Sequence, residues 1–208
     1  MSVRARIKAT IGVVAVAAAC AVAPTAQAGI LVASAPSCAS PPLEHPFARW
    51  LDPLTYTLVP DGGFEQGAAG WSLSKAKVVS GNETFYVRAA SDLRSLSLPP
   101  GSSATSPTMC AGLDKPVMRF FSRSSGGLLS LSALNVEVLF ETASGQAASL
   151  PVGVALPSGK WQPTLPLPVL ASLLPLLPGE QTPIAFRFRP VGTATWTIDD
   201  VYLDPGHR

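Results

Sequence analysis

Apolar and polar residues alternate along several short segments of this chain. The clearest segment is 134–141, LNVEVLFE, in which apolar residues hold every second position from Leu134 to Phe140. A period of two residues is typical of a β-strand with one buried and one solvent-facing side. The segments 117–122, 184–189 and 195–203 also have the composition of strands. These four segments predict the main strands of a β-sheet protein.

Shorter apolar segments lie between turn sequences in the rest of the chain. We predict further strands at 54–59, 71–73, 75–80, 85–88, 95–98 and 149–154, and an extended polar stretch at 103–110 that covers a sheet edge. Turn sequences such as Pro60-Asp61-Gly62-Gly63 and Pro99-Pro100-Gly101 separate the strands. No segment shows a helix that would connect parallel strands. The pattern therefore predicts an all-β sandwich or barrel.

The first 28 residues have the pattern of a secretory signal peptide. Three basic residues precede an uncharged apolar run at 11–23, and Ala26-Gln27-Ala28 supplies the small residues that signal peptidase recognises. The run is shorter than the roughly 20 residues of a membrane helix, so we predict a secreted protein with no membrane span after cleavage before Gly29. Two alternatives stay open: an uncleaved anchor, and a lipid anchor at Cys20, since residues 17–20 loosely resemble a lipoprotein cleavage site.

Cleavage would also remove the positive charge of the chain. The full sequence has 15 basic and 13 acidic residues, but 12 basic and 13 acidic residues remain after residue 28. No basic stripe is left to neutralise phosphates, which argues against nucleic acid as a partner.

Residues 29–53 are rich in proline and have no periodicity, so we predict an irregular arm that precedes a β-sandwich domain at 54–208. After cleavage the chain keeps two cysteines, Cys38 and Cys110. In an oxidising environment they predict one disulfide, which would join the arm to the domain. A thiol nucleophile or a metal pair has little support, because His45 lacks metal-ligand spacing.

The segment 161–178 is strongly apolar but interrupted by prolines. Residues 169–174 lie between two prolines and can form one or two helical turns. The leucines of 165–177 allow two interpretations: they cap one end of the sandwich, or they form an exposed contact surface.

Two motifs point to a known fold. Near the domain start stands Val59-Pro60-Asp61-Gly62-Gly63-Phe64-Glu65, followed by Gly70-Trp71, and near the end stands Trp196-Thr197-Ile198-Asp199-Asp200-Val201-Tyr202-Leu203. With Trp161, the pair resembles the jelly-roll, galactose-binding-like carbohydrate-binding modules of the xylan- and cellulose-binding type. The similarity spans about residues 58–204. The chain also resembles small secreted actinobacterial proteins of unassigned function. The resemblance implies an antiparallel jelly-roll β-sandwich, here with an irregular N-terminal arm.

The same resemblance implies a structural calcium ion. In such modules the opening Glu and the closing Asp meet and bind calcium together with backbone carbonyl groups. This places Glu65 and Asp199 at the metal, with Asp61 and Asp200 as further ligands. The alternative is that Glu65 and Asp199 only accept hydrogen bonds from loop amides.

Carbohydrate binding is the second implied property, with a glycan or a cell-envelope polymer as partner. Such modules stack sugar rings on exposed aromatic side chains. Trp71, Trp161, Phe64, Phe120 and Phe140 have the positions of core residues. The aromatic residues left for a binding face are Tyr86, Tyr202, Trp50, Tyr56 and Phe121, of which we take Tyr86, Tyr202 and Trp50 as the candidate ligand-binding residues. The alternative is structural, because a lone tyrosine on a strand is more often a half-buried sheet residue than a sugar platform.

The sequence offers no catalytic constellation. His45 lies in the arm, His207 is next to the C-terminus, and no Gly-x-Ser-x-Gly motif is present. Asp199 and Asp200 are adjacent, so their side chains point to opposite faces of a strand unless a bulge intervenes. We therefore expect a non-catalytic module that binds a glycan. The alternative is an extracellular structural or interaction protein without a sugar site, with 165–177 as its contact surface.

Two cations stand on one face of a predicted strand. Arg187 and Arg189 are two residues apart in the segment 184–189. They either bind an anionic partner or keep a sheet edge soluble.

Overall fold

The computed structural model describes residues 42–112, 116–128, 131–142, 145–169 and 182–205. The predicted signal peptide, Cys20, Cys38 and His207 lie outside these residues, as does the predicted helical segment from residue 170 onward. Within the described part, no helix is long and apolar enough to cross a membrane.

Two antiparallel sheets form the described domain. One contains seven strands: β1 (Thr57–Leu58), β3 (Lys77–Ser80), β4 (Arg94–Leu98), β7 (Val117–Ser125), β10 (Gln162–Pro163), β11 (Leu167–Pro168) and β13 (Thr195–Asp204). The other contains six: β2 (Ser72–Ser74), β5 (Ser103–Thr105), β6 (Met109–Ala111), β8 (Ala133–Glu141), β9 (Ala147–Ala155) and β12 (Thr182–Val191). The predicted all-β, antiparallel jelly-roll sandwich is confirmed, whereas residues 29–41 of the predicted arm lie outside the described residues.

The core lies between the two sheets and follows from the period-two pattern. In β8 every second residue from Leu134 to Phe140 is buried, while the residues between them are partly exposed. The Phe120 and Phe188 rings, one from each sheet, meet edge to face with centroids 5.3 Å apart. Burial of such apolar side chains contributes about 25 cal/mol per Å² of surface removed from water.

A second apolar cluster lies on the outer side of the seven-stranded sheet. Phe121 from β7 and Tyr202 from β13 point away from the main core and are covered by Phe47 of the arm and by Tyr56, which precedes β1. A short 3-10 helix, Ala48–Trp50, shapes this part of the arm. Strand β13 is therefore covered on both sides, which explains why Trp196 to Leu203 are all buried.

Three local expectations need correction. Residues 85–88 form a loop, because Glu83 ties this segment into a turn by accepting hydrogen bonds from the amides of Phe85 and Val87. The stretch 103–110 does not cover an edge: it contains β5 and most of β6, which pair with β12. The strand expected at 149–154 is longer, because β9 runs from Ala147 to Ala155 and continues through Pro151 with a bulge opposite Val136 and Glu137.

Several outermost strands carry proline. Strand β9 ends the six-stranded sheet and contains Pro151, while β10 and β11 at one end of the seven-stranded sheet contain Pro163 and Pro168. Proline has no backbone N–H to donate, so an edge strand accommodates it more easily than a central strand does. The central strand β12 also contains two prolines, Pro183 and Pro190, each next to one end of the strand.

Cys110 lies in β6. Because Cys38 is outside the described residues, the pairing of the two cysteines stays a prediction. In the proline-rich segment Leu167 and Val169 are buried in the main core, whereas Leu165 is 75% exposed.

Candidate functional site

The first turn and the last strand of the domain are neighbours. The amide of Val59 donates to the carbonyl of Val201 at 2.9 Å, and the amide of Val201 donates to the carbonyl of Gly62 at 3.0 Å. Strand β1 extends this pairing, with Thr57 opposite Leu203. The two motifs that carry the family resemblance therefore meet in space.

The carboxylates of the first turn bind loop amides. Asp61 accepts hydrogen bonds from the amides of Gln66 at 3.0 Å and Ala69 at 2.7 Å. Glu65 accepts from the amides of Leu93 at 2.9 Å and Arg94 at 2.7 Å through a single oxygen, Oε1. Both residues thus stabilise loops that flank the sandwich.

Asp199 is fully buried and also binds amides. Its Oδ2 accepts from the amide of Glu83 at 2.9 Å, and its Oδ1 accepts from the amide of Asp200 at 2.9 Å. Burial raises the pKa of Asp199 to about 9, and the neighbouring Asp200 adds to the rise. The side chain therefore links β13 to the loop that begins at Glu83.

Asp200 is buried without a hydrogen bond. The register of β13 against β7 shifts between Asp199 and Tyr202, and Asp200 has a positive φ of 46°, so the alternation of strand faces is interrupted at this bulge, and both aspartates are buried. Neither oxygen of Asp200 has a hydrogen-bond partner among the described residues. Its nearest cation is Arg88, with Nη1 4.0 Å from Oδ1. Burial raises the pKa of Asp200 to about 7, while Arg88 opposes the rise.

Gly63 leaves space for this pair. A Cβ on Gly63 would lie 2.3 Å from Arg88 Nη1 and 2.9 Å from Asp200 Oδ1. A side chain at position 63 would therefore have to displace the Arg88 guanidinium or the Asp200 carboxylate.

The four predicted calcium ligands do not converge. Glu65 and Asp199 share no hydrogen-bonding partner, and no group of three or more acidic, histidine or cysteine side chains in the described ranges is arranged to hold a metal ion. Calcium needs six to eight oxygen ligands around one point. The residues therefore do not fit the predicted site, and the amide-binding alternative describes Glu65 and Asp199. Calcium binding itself stays a prediction.

The three aromatic residues expected at a ligand lie in different surroundings. Tyr202 is fully buried, with its hydroxyl 3.4 Å from Glu44 Oε2, so a stacking role for it is wrong. Trp50 is half-buried and packs edge-on against Phe85 at 5.0 Å. Tyr86 is 51% exposed and is the candidate that presents most of its ring to solvent.

Part of the outer face of the six-stranded sheet is polar. Ser72 lies opposite Thr105, Thr105 opposite Arg187, and Arg187 opposite Glu137, which makes one row across four strands. Because residues two apart share a face of a strand, a second row runs beside the first. It contains Ser74, Ser103, Arg189 and Asn135. We call these eight residues the two-row face.

Glu137 holds the centre of the two-row face. Arg187 donates from Nε to Glu137 Oε2 at 2.7 Å, and Arg189 donates from Nη2 to Glu137 Oε1 at 2.7 Å. The side chains of Glu137, Arg187 and Arg189 are 16%, 30% and 49% exposed, so they reach solvent while remaining tied to each other. Charge-assisted bonds of this kind fix side-chain direction.

Sequence reasoning missed most of this face. Ser-Leu-Ser at 72–74 and Ser-Ala-Thr at 103–105 alternate polar and apolar residues, which is the signal that could have assigned their outward sides. The pairing of strands far apart in sequence was needed to bring them next to Arg187.

Comparisons with solved structures find carbohydrate-binding modules. The chain is similar to the CBM22-1-GH10 modules of Clostridium thermocellum endo-1,4-β-D-xylanase 10B complexed with xylohexaose, at 12% identity and a TM-score of 0.48. The match covers 70% of this chain and 28% of the solved chain, so this chain spans less than a third of that structure.

Two single modules match over nearly their whole length. A family 16 carbohydrate-binding module matches at 13% identity and a TM-score of 0.42, covering 71% of this chain and 99% of that chain. The module TmCBM61 in complex with β-1,4-galactotriose matches at 18% identity and a TM-score of 0.37, covering 70% and 96%. No protein-family model and no curated protein matches. At these identities and TM-scores the likeness concerns the fold and assigns no ligand to this chain.

Proposed function

We propose that the chain is an exported, non-catalytic module that binds a glycan on the two-row face. The supporting observation is the composition of that face, in which hydroxyl, amide, guanidinium and carboxylate groups stand side by side on four paired strands. Sugar hydroxyls both donate and accept hydrogen bonds, and this set of side chains supplies both partners.

The rigidity of the sheet supports binding of a polymer. Neighbouring strands are about 4.8 Å apart, and residues two apart on a strand are about 6.6 Å apart, so the groups form a fixed array. Side chains that are already held in place lose little conformational entropy when a ligand binds. The pairing of Arg187 and Arg189 with Glu137 provides this order at the centre.

The non-catalytic part of the proposal rests on where the candidate catalytic groups lie. Asp199 and Asp200 are buried and so cannot reach a polymer on the surface. The Nδ1 atom of His45, in the arm, lies 3.3 Å from the carbonyl oxygen of Leu54.

A matched pair of variants tests the location of the site. In S72A/S74A two hydroxyls are removed from the two-row face, and in S80A/S125A two exposed hydroxyls are removed from the other sheet. Each lost hydrogen bond is worth about 0.5–1.5 kcal/mol. We expect affinity for a retained glycan on an array of neutral and acidic polysaccharides to fall several-fold in the first variant and to stay unchanged in the second. If no glycan is retained, the proposal fails.

Export is tested on the protein as its host produces it. The pattern of residues 1–28 supports secretion, with a lipid anchor at Cys20 as the alternative. Mass spectrometry of the protein from culture medium should give an N-terminus at Gly29. A lipidated N-terminal Cys20 in the membrane fraction would replace secretion by anchoring.

The alternative function, an interaction protein that uses 165–177, has less support from the described residues. Leu167 and Val169 pack in the core, which fits a cap on the sandwich, and Leu165 is exposed. Residues 170–177 lie outside the described part, so this alternative stays a prediction.

A further inference from the structure

The ligand of the two-row face can be narrowed to one chemical class. We propose that it is an acidic glycan, whose sugar carboxylate is bound by Arg189 together with Arg187. This inference rests on the proposed function, because it assumes that the two-row face is a glycan site.

The position of the two arginines argues against a role in protecting a sheet edge. Strand β12 lies inside the six-stranded sheet, with β5 and β6 on one side and β8 on the other. Charged side chains that discourage strand addition belong on outermost strands. Here the outermost strands are β2 and β9, so the arginines do not serve that purpose.

The charge of the face is unbalanced in favour of an anion. Arg187 and Arg189 bring two positive charges, Glu137 brings one negative charge, and the other five residues of the two-row face are Ser, Thr or Asn. One positive charge therefore remains, with the neutral hydroxyl groups of β2 and β5 on one side and Pro151 and Val154 of β9 on the other. A polymer that combines a carboxylate with hydroxyls matches this arrangement.

Arg189 is the residue best placed to meet the carboxylate. Its bond to Glu137 uses Nη2, and the described residues provide no other hydrogen-bond partner for its guanidinium. Half of its side chain is exposed. A guanidinium has five N–H donors and binds carboxylates with two parallel hydrogen bonds. Glu137 thus orients Arg189 while leaving donors for a ligand.

The test compares one polysaccharide with and without its carboxylate charge and adds two reference polymers. Polygalacturonate and its fully methyl-esterified form are measured by calorimetry against the wild-type protein, together with a neutral xylan and with poly-glutamate, which has carboxylates but no sugar. We expect polygalacturonate to bind at least tenfold more tightly than its ester. Arg189→Gln should remove this preference, and Lys77→Gln, at an exposed position of the other sheet, should keep it.

The outcomes separate the two proposals. Equal binding of the acid and the ester, unaffected by Arg189→Gln, would overturn the acidic ligand and leave glycan binding intact. Binding of poly-glutamate as tight as that of polygalacturonate would overturn it as well, because it would show simple polyanion attraction. Absence of binding to every polysaccharide would remove the proposed function itself.

Discussion

Arg119 in β7 and Asp52 in the arm form a buried ion pair, with Nη1 2.5 Å from Oδ2. The same guanidinium donates two hydrogen bonds to the carbonyl of Thr164 and lies over the ring of Phe47 at 4.3 Å. Tyr56 donates to the same oxygen of Asp52 at 2.8 Å. Residues 47–52 of the arm are therefore part of the fold and cover the outer side of the seven-stranded sheet, which leaves the two-row face on the opposite sheet.

Removing one partner of this pair should destabilise the protein strongly. Asp52→Ala leaves the Arg119 charge buried and unpaired, so we expect the free energy of unfolding to fall by about 3–5 kcal/mol in urea titrations. The double variant D52A/R119M removes the buried charge and should recover part of the loss. If the free energy of unfolding of Asp52→Ala lies within about 0.5 kcal/mol of the wild-type value, the Asp52–Arg119 ion pair does not hold the arm.

The buried aspartates predict a pH dependence. The pKa of Asp200 is raised from 3.8 to about 7, and that of Asp199 to about 9, mainly by burial. Between about pH 4 and pH 7 for Asp200, and between about pH 4 and pH 9 for Asp199, the carboxyl group is protonated in the folded protein and ionised in the unfolded chain. The free energy of unfolding should therefore decrease as the pH rises through these ranges. The slope is at most about 1.4 kcal/mol per pH unit for each proton.

Urea unfolding at pH 5 and pH 8 measures this slope. Asp200→Asn cannot ionise and should flatten the part of the slope between pH 4 and 7. A wild-type protein more stable at pH 8 than at pH 5 would contradict the burial of the two carboxyls.

Because Arg88 and Asp200 lie next to Gly63, a larger residue at this position should clash with them and destabilise the fold. A methyl group there would meet Arg88 Nη1 and Asp200 Oδ1, so Gly63→Ala should lower the free energy of unfolding by about 1–3 kcal/mol. Gly159→Ala is the control, because nothing lies within 4 Å of its Cβ position. Equal melting temperatures for the two variants would argue against a filled site at Gly63.

Because the four carboxylates do not converge on one point, we expect the thermal stability of the protein not to depend on calcium. Asp61, Glu65 and Asp199 bind amides, and Asp200 faces Arg88. We expect the melting temperature to be the same in chelator, in added calcium and in added magnesium. A drop of several degrees in chelator that calcium alone reverses would restore the metal site implied by the family resemblance.

Local patterns predicted the strands better than the site. The alternation from Leu134 to Phe140 was enough to assign both faces of β8, since burial on one side dictates a period of two. The loop at 85–88 was missed because its conformation depends on Glu83, whose carboxylate binds two amides within the loop. The amino-acid composition of the segment does not reveal these hydrogen bonds.

Long-range relationships explain the remaining errors. Tyr202 has the spacing of a surface residue, and only the arm, more than 140 residues earlier in the chain, buries it. Asp199 and Asp200 occupy adjacent positions that normally face opposite sides. The bulge in β13 interrupts this alternation, and β13 is covered on both sides, so both aspartates are buried. The meeting of the first turn with the last strand was predicted because both motifs were recognised together.

The prolines of the outermost strands have a consequence for how copies of the protein behave together. Pro151, Pro163 and Pro168 each remove an N–H from a strand that ends a sheet. A neighbouring molecule that docked strand to strand would find gaps in the donor pattern at these places, which disfavours growth into fibrils or stacked sheets. Because each sheet has one end of this kind, copies of the protein should not extend strand to strand in both directions, although β2 and β3 at the opposite ends carry no proline.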